Sequence, residues 1–287
     1  MINKGIILAG GLGSRMSPLT KSVNKQLLPL HDKPLLFYPL SVFMLAGIRN
    51  ILIIVNKGSI PQFKKVIPNG NNLGVKITYA EQPKPNGLPE AFLIGKKFIG
   101  NDNVALILGD NFFYGQSLTD KLKKVVKLKN GACVFIHPVK NPSNFGIINI
   151  KKKKITKLVE KPKKSKSNLA ITGLYFFDNT VIKKSQVLRK SKRNELEIID
   201  LLKKYHQNKK LKTELLGRGA AWLDAGTIKD LFQSTLFVSS IENRQGFKIA
   251  CIEEIALSNG WIKKENIKNA IKFYGNCEYS NYLKKII

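Results

Sequence analysis

The chain has 287 residues, a formal net charge of +30 from 49 Lys and Arg against 19 Asp and Glu, and 43% hydrophobic residues. That is enough apolar sequence for a sizeable core, and the absence of internal repeats sets aside a solenoid. The cations are overwhelmingly Lys and are spread along the chain without interleaved aromatics, which argues against a dedicated nucleic-acid partner.

Cys133, Cys251 and Cys277 are an odd number without CxxC spacing, so they read as free thiols in a reducing compartment. Ile6, Ile7 and Leu8 begin the pattern as a buried strand predicted over 5–9. Gly10, Gly11 and Gly13 follow, and glycine lets the backbone turn sharply with its N–H groups outward, which suits a phosphate chain. Arg15 and Lys25 place positive charge on either side of that turn. The spacing is neither a P-loop nor the dinucleotide GxGxxG. The uncharged stretch 35–48 contains Pro39 and is shorter than the roughly 20 residues of a membrane span, so it reads as a core helix. No secretory leader and no membrane partner are expected, and the location is expected to be cytoplasmic.

Strands predicted over 51–55, 75–79 and 104–108 alternate with helices over 34–46, 61–67, 88–98 and 118–128. Such alternation implies a mainly parallel sheet with helices on both faces, whose ligands collect at the carboxyl ends of the strands. Asp110 follows the run VALIL through Gly109 and is placed at that edge. Beyond Gly131 come strands over 132–138, 145–150, 155–159 and 170–177, with the lysine run 151–154 as an exposed hairpin turn. A helix is predicted over 194–208, with Asn194 as cap, acids Glu195, Glu197 and Asp200 at its amino end and lysines at its carboxyl end, in the order the helix dipole favours. Asp224 follows the short run AAWL and also projects from a strand end. After Gly226 the chain is mostly helical with Thr227 as a cap. The expected organisation is one domain, 1–287, with an α/β core over 1–226 and a helical packing appendage over 227–287.

Two carboxylates at strand ends, Asp110 and Asp224, offer hard oxygen ligands suited to Mg²⁺. His31, His137 and His206 are poorly placed for acid or base work, and no Ser/His/Asp or Cys/His set is evident. The segments GIILAGGLGSRMSPLTKSVNKQLLPL, EQPKPNGLPEAF, LILGDNFFYG, NFGIINI, EKPKKSKSNLAITGLYFFD, ELEIIDL and GRGAAWLDAGT resemble the sugar-1-phosphate nucleotidylyltransferase family. The continuation KQLLPLHDKPLLFYPLSVFMLAGI is similar to its glucose-1-phosphate thymidylyltransferase branch.

The resemblance implies a three-layer open, mixed but mainly parallel sheet of the Rossmann-like nucleotidyltransferase type. It implies Mg²⁺-dependent attack by glucose 1-phosphate on the α-phosphorus of dTTP, giving dTDP-glucose and pyrophosphate for dTDP-rhamnose and surface polysaccharide synthesis. Arg15, Lys25, Asp110 and Asp224 match the catalytic positions, and the two acids the metal positions. Gly10, Gly11, Gly13, Ser14 and Gln26 match residues that wrap the nucleotide, and Gln82 and Gly87 those that read the base. Asn111, Gly146, Glu160, Lys161, Asn168, Ile171 and Thr172 match the sugar-phosphate pocket. Gly115 and Arg218 match a regulatory nucleotide site at a subunit interface of a homotetramer. The sequence departs from the usual pattern at Ser14 (Thr), Pro89 and Glu90 (Ala and Gln), Gln116 (His) and Phe145 (Tyr). The alternatives are a relative preferring UTP or another sugar phosphate and, from a different class, a basic nucleic-acid-binding protein or an inactive regulatory homologue.

Overall fold

The computed structural model describes residues 1–287. In chain order its strands are β1 Lys4–Ala9, β2 Pro29–Leu30, β3 Lys33–Pro34, β4 Asn50–Asn56, β5 Lys76–Gln82, β6 Val104–Leu108, β7 Asn111–Gly115, β8 Ala132–Pro138, β9 Gly146–Lys151, β10 Lys154–Glu160, β11 Leu169–Phe177, β12 Leu211–Leu215 and β13 Ala220–Asp224. The helices are α1 Phe37–Leu45, α2 Ile60–Val66, α3 Glu90–Ile94, α4 Lys96–Ile99, α5 Leu118–Val125, α6 Val181–Gln186, α7 Ile198–Gln207, α8 Ile228–Gln245, α9 Ile252–Ser258, α10 Lys264–Tyr274 and α11 Glu278–Lys285.

β6, β1, β4 and β5 lie side by side and parallel. From β1 the chain moves to one side for β4 and β5 and returns to the other for β6. The strand order therefore reverses at β1, and a crevice opens at the carboxyl ends of β1 and β6. β11 runs antiparallel to β6 through Leu174 to Phe177, and farther along its length β9 takes over at Ala170 opposite Ile147. The sheet thus parts around Gly173, beside the crevice. β8 and then β12 continue the sheet beyond β11. A separate antiparallel ribbon pairs β7 with β13, from Asn111 opposite Asp224 to Gly115 opposite Ala220.

Side chains alternate across a strand, so a sheet buried on both faces needs apolar residues at every position. In β1, Ile7 and Ala9 enter one core and Ile6 and Leu8 the other, which gives the three layers. α1 is buried along Phe37 to Met44 and is the expected core helix. It starts later than predicted because Lys33 and Pro34 pair with Leu30 and Pro29. No helix is long and apolar enough to cross a membrane.

Three features depart from the sequence reading. The helix over 88–98 is two short helices meeting at Gly95, where an added Cβ would lie 2.9 Å from Ile6 Cδ1, so the glycine lets this segment sit close on the sheet. Asn194 does not cap α7: it has φ +60, and the helix begins only at Ile198, because Leu196 N donates to Asn86 O at 2.8 Å and pairs with Gly87. β7, β12 and α6 were not anticipated. The 151–154 turn does form, with Lys152 and Lys153 at φ 48 and 62. Thr227 does cap α8, accepting from Asp230 N.

The residues after 226 complete the core and do not merely decorate it. Ile252, Ala256, Ile267, Tyr279 and Leu283 share one apolar cluster with Phe37, Phe43 and Ile53. Buried ion pairs fasten α8 to the β2–β3 turn: Lys33 Nζ lies 3.2 Å from Glu242 Oε1, and Asp32 pairs with both Lys33 and Lys248.

Candidate active site

The glycine turn after β1 is held from the neighbouring strand. Gly11, at φ +112, donates its N–H to Asn56 Oδ1 at 2.7 Å, and Asn56 Nδ2 donates back to Gly11 O at 2.8 Å. Thr20 Oγ1 donates to Gly13 O at 2.8 Å. An added Cβ on Gly10 would lie 2.6 Å from Gln82 Oε1, so the end of β5 also abuts the turn. Gly10, Gly11, Gly13, Ser14 and Gln82 therefore gather around the carboxyl ends of β1, β4 and β5.

Lys25 opens a 3₁₀ turn capped by Asn24, which accepts from Gln26 N. Its ammonium is buried and donates to Asp110 Oδ2 at 2.6 Å. Asn111 Nδ2 donates to Asp110 Oδ1 at 3.0 Å. Burial pushes the Asp110 carboxyl up, but the charge and hydrogen bond of Lys25, helped by Asn111, outweigh it and hold the group below the usual range. Asp224 stands opposite Asn111 on the ribbon. Its burial and the charge of Asp110 push its pKa up to about 7, against the opposing pull of Lys25 and Arg15. Arg15 is close by: a Cβ on Gly226 would lie 3.2 Å from Asp224 Oδ1 and 3.3 Å from Arg15 Nη2. Two acids crowded enough to shift one of them, with oxygen donors only, are suited to a hard divalent cation. The residues present fit Mg²⁺.

Arg15, Asp110, Asn111 and Asp224 together border a cleft of about 510 Å³ at the reversal of strand order, and buried Lys25 is joined to it through Asp110. Gly87, Gly146, Glu160, Lys161 and Ile171 also line it. Along β11, Ile171, Gly173 and Tyr175 face the cleft. Thr172 points through the sheet and donates to Phe135 O at 3.0 Å, so the structure does not bring it into the pocket. Asn168 is exposed outside the lining, its backbone oxygen occupied by Val139 N. Gln26 is buried below Gly109, with Oε1 lacking a protein partner. Gly115 and exposed Arg218 lie at the far end of the β7–β13 ribbon from Asp224.

Several cleft residues escaped the sequence reading. Arg193 reaches over the opening, with Nη2 2.8 Å from Glu197 Oε2 and 3.4 Å from Glu160 Oε1. Burial and the charge of Glu197 raise the Glu160 pKa, while Arg193 and Lys161 oppose the rise. Trp222 Nε1 donates to Asn111 Oδ1 at 2.6 Å, and Gly173 N donates to the same oxygen at 3.0 Å. A Cβ on Gly173 would fall 2.5 Å from that oxygen. Gly173→Ala is expected to cost about 2 kcal/mol by breaking these two bonds at a buried amide. Denaturant titration checks this, and unchanged stability would show that Asn111 can move without penalty.

Residues 4–240 match the nucleotidyl transferase family. Proteins named glucose-1-phosphate thymidylyltransferase from Neisseria meningitidis serogroup A and Mycolicibacterium smegmatis are 47% and 45% identical to this chain, each alignment covering 99% of both sequences. Among solved structures, a Bacillus anthracis protein in complex with a sucrose is similar at TM-score 0.76 and 36% identity, covering 82% of this chain and 94% of its own. A UDP-glucose pyrophosphorylase complexed with UDP-glucose is similar at TM-score 0.74 and 25% identity, covering 84% and 100%. The chain belongs to the nucleotidyl transferase family, alongside its glucose-1-phosphate thymidylyltransferases.

Proposed function

We propose that this chain is a Mg²⁺-dependent thymidylyltransferase: a phosphate oxygen of glucose 1-phosphate attacks the α-phosphorus of dTTP, one P–O bond forms, the α–β bond breaks, and dTDP-glucose and pyrophosphate leave. The observation that carries this reading is the gathering of Arg15, Asp110 and Asp224 at one cleft, with Lys25 bonded to Asp110, where chain segments more than a hundred residues apart meet. The near full-length likeness to the thymidylyltransferases supports the substrates.

Two anions must approach each other, so charge neutralisation and positioning are the main demands on the protein. Asp110 and Asp224 would hold Mg²⁺, which supplies positive charge to the phosphate oxygens. Lys25 is fixed by Asp110 as a point charge beside the reacting phosphate, and Arg15 is placed to grip oxygens of the triphosphate. Gly11 spends its N–H on Asn56, so the other N–H groups of the Gly10 to Ser14 turn would cradle the phosphates, and the unpartnered Oε1 of Gln26 offers an acceptor to the nucleotide sugar. Gln82 and Gly87 meet the base. Across the cleft, Glu160 accepts from sugar hydroxyls and Lys161 meets the phosphate, with Arg193 held beside them by Glu197. No base is required, since a phosphate monoester is already largely ionised at neutral pH. The charge of +30 draws anionic substrates inward.

On this reading the enzyme is cytoplasmic and homotetrameric and serves dTDP-rhamnose and surface polysaccharide synthesis, with Gly115 and Arg218 in a second nucleotide site. The likeness to a UDP-glucose pyrophosphorylase favours UTP as a second reading. Pyrophosphate release measured over dTTP and UTP, with several sugar phosphates, with and without Mg²⁺, separates them. The expected result is Mg²⁺-dependent release with dTTP and glucose 1-phosphate as the preferred pair. A strong UTP preference would reject the base assignment, and no release from any pair would reject the activity.

A further inference from the structure

Parallel pairing of β1 with β4 runs out at Ala9 opposite Val55, where the chain turns away. The next residue of β4, Asn56, replaces the missing rung with its side chain, accepting from Gly11 N at 2.7 Å and donating to Gly11 O at 2.8 Å. Little else confines that glycine: it sits at φ +112, and a Cβ added to it would meet no atom within 4 Å. Leu12, which follows, is 73% exposed. Gly10 is different, since its added Cβ would lie 2.6 Å from Gln82 Oε1, so the end of β5 holds it in place.

A trans peptide points its C=O and its N–H in opposite directions. With Gly11 O held on Asn56, the Leu12 N–H must face away from β4. β1 lies between β4 and β6, so this is the side on which the cleft opens. Thr20 acts in the same way farther along the turn: its Oγ1 donates to Gly13 O at 2.8 Å, which directs the Ser14 N–H away from Thr20. Neither the Leu12 nor the Gly13 N–H has an acceptor within the protein.

We infer that Asn56 is a positioning residue: it draws the Gly11 carbonyl aside and so presents the Leu12 N–H to the terminal phosphates of the nucleotide and to pyrophosphate. The inference rests on the reading above that this turn meets the phosphates, and it adds the group that orients the turn. Released from Asn56, the Gly11–Leu12 peptide is free to rotate, and one of its orientations aims a carbonyl oxygen at an anion. A hydrogen bond to a charged oxygen would then be exchanged for a contact between two acceptors. An amide side chain suits the task because it donates and accepts on one planar head. A hydroxyl also does both, whereas alanine does neither.

Asn56→Ala is expected to weaken inhibition by pyrophosphate and to raise KM for dTTP, each about tenfold, with KM for glucose 1-phosphate within about twofold of its starting value. Thymidine carries the base and sugar without phosphates, and is expected to inhibit N56A and wild type alike to within about twofold. Asn56→Thr restores a group that both donates and accepts, and is expected to recover most of the loss. In the wild type, where no substitution disturbs the turn, hydrogen exchange of the Leu12 amide read by NMR is expected to slow at least about tenfold on adding pyrophosphate and Mg²⁺. Unchanged pyrophosphate inhibition in N56A would overturn the role of Asn56, as would an equal weakening of thymidine, no recovery in N56T, or a Leu12 amide that exchanges as fast with pyrophosphate as without it. Wild-type protein that binds neither dTTP nor pyrophosphate would instead overturn the reading of the turn as a phosphate cradle, and the inference with it.

Discussion

Asp110→Asn is expected to reduce kcat for pyrophosphate release by about a thousandfold and to destabilise the fold by about 2 kcal/mol. The substitution keeps the shape of the side chain but removes its charge, and Lys25 depends on that charge. The Lys25 ammonium is buried and its contact with Asp110 Oδ2 is 2.6 Å, so neutralising the acid leaves a cation with a weaker partner in a poorly solvated place. The activity loss follows because the same change removes an oxygen donor from the metal pair and frees Lys25 from its fixed position. Stopped-time assays at saturating substrates and urea titration read the two effects. Full activity would remove Asp110 from the reacting centre, and unchanged stability would show that Lys25 finds water or another acceptor.

Asp224→Asn is expected to lose turnover by about a hundredfold or more while gaining stability, the opposite sign. Asp224 is burdened by burial and by the charge of Asp110, which together place its pKa at about 7. Below about pH 4 the carboxyl is protonated in both folded and unfolded chains, and substitution changes little. Between about pH 4 and about 7 the unfolded chain ionises freely while the folded site resists, so the wild type progressively loses stability relative to the variant. Above that range the difference is constant, at about 2 kcal/mol in metal-free buffer once partial solvent access is allowed for. Added Mg²⁺ is expected to reverse the ranking by stabilising the wild type alone. A variant less stable than wild type at pH 8 without metal would contradict the crowding of the two acids.

The divergent behaviour of these acids marks the limit of what sequence reading could provide. Both were recognisable as strand-end carboxylates, since VALIL and AAWL are apolar runs that stop at a polar turn. Their inequality was not visible, because it depends on Lys25 reaching one of them more closely than the other. Likewise the glycine turn and its cations were legible from local sequence, whereas Asn56, which clamps Gly11, has no distinguishing local pattern. Ile171 and Thr172 were assigned together to the sugar-phosphate pocket, yet adjacent strand residues face opposite ways, and Thr172 bonds Phe135 instead. Arg193 was hidden for another reason. The acids that follow it suit the start of a helix, and only the contact of Leu196 with Gly87 delays α7 and leaves Arg193 over the cleft.

The parallel half of the sheet was readable because each strand is a short apolar run bounded by turn residues. β12 was not, because LKTEL carries little apolar character and owes its place to parallel pairing with β8. The two-acid, two-cation cluster thus emerges from ordinary strand endings brought together by topology.

The sharing of one apolar cluster between α1 and α9 to α11 has a bearing on biosynthesis. α1 spans Phe37–Leu45, but part of the surface that covers it comes from α9 to α11, which follow it in the chain by about two hundred residues. Until those later helices are made, that part of the greasy surface has no native cover, and it must await them or be sheltered by a chaperone.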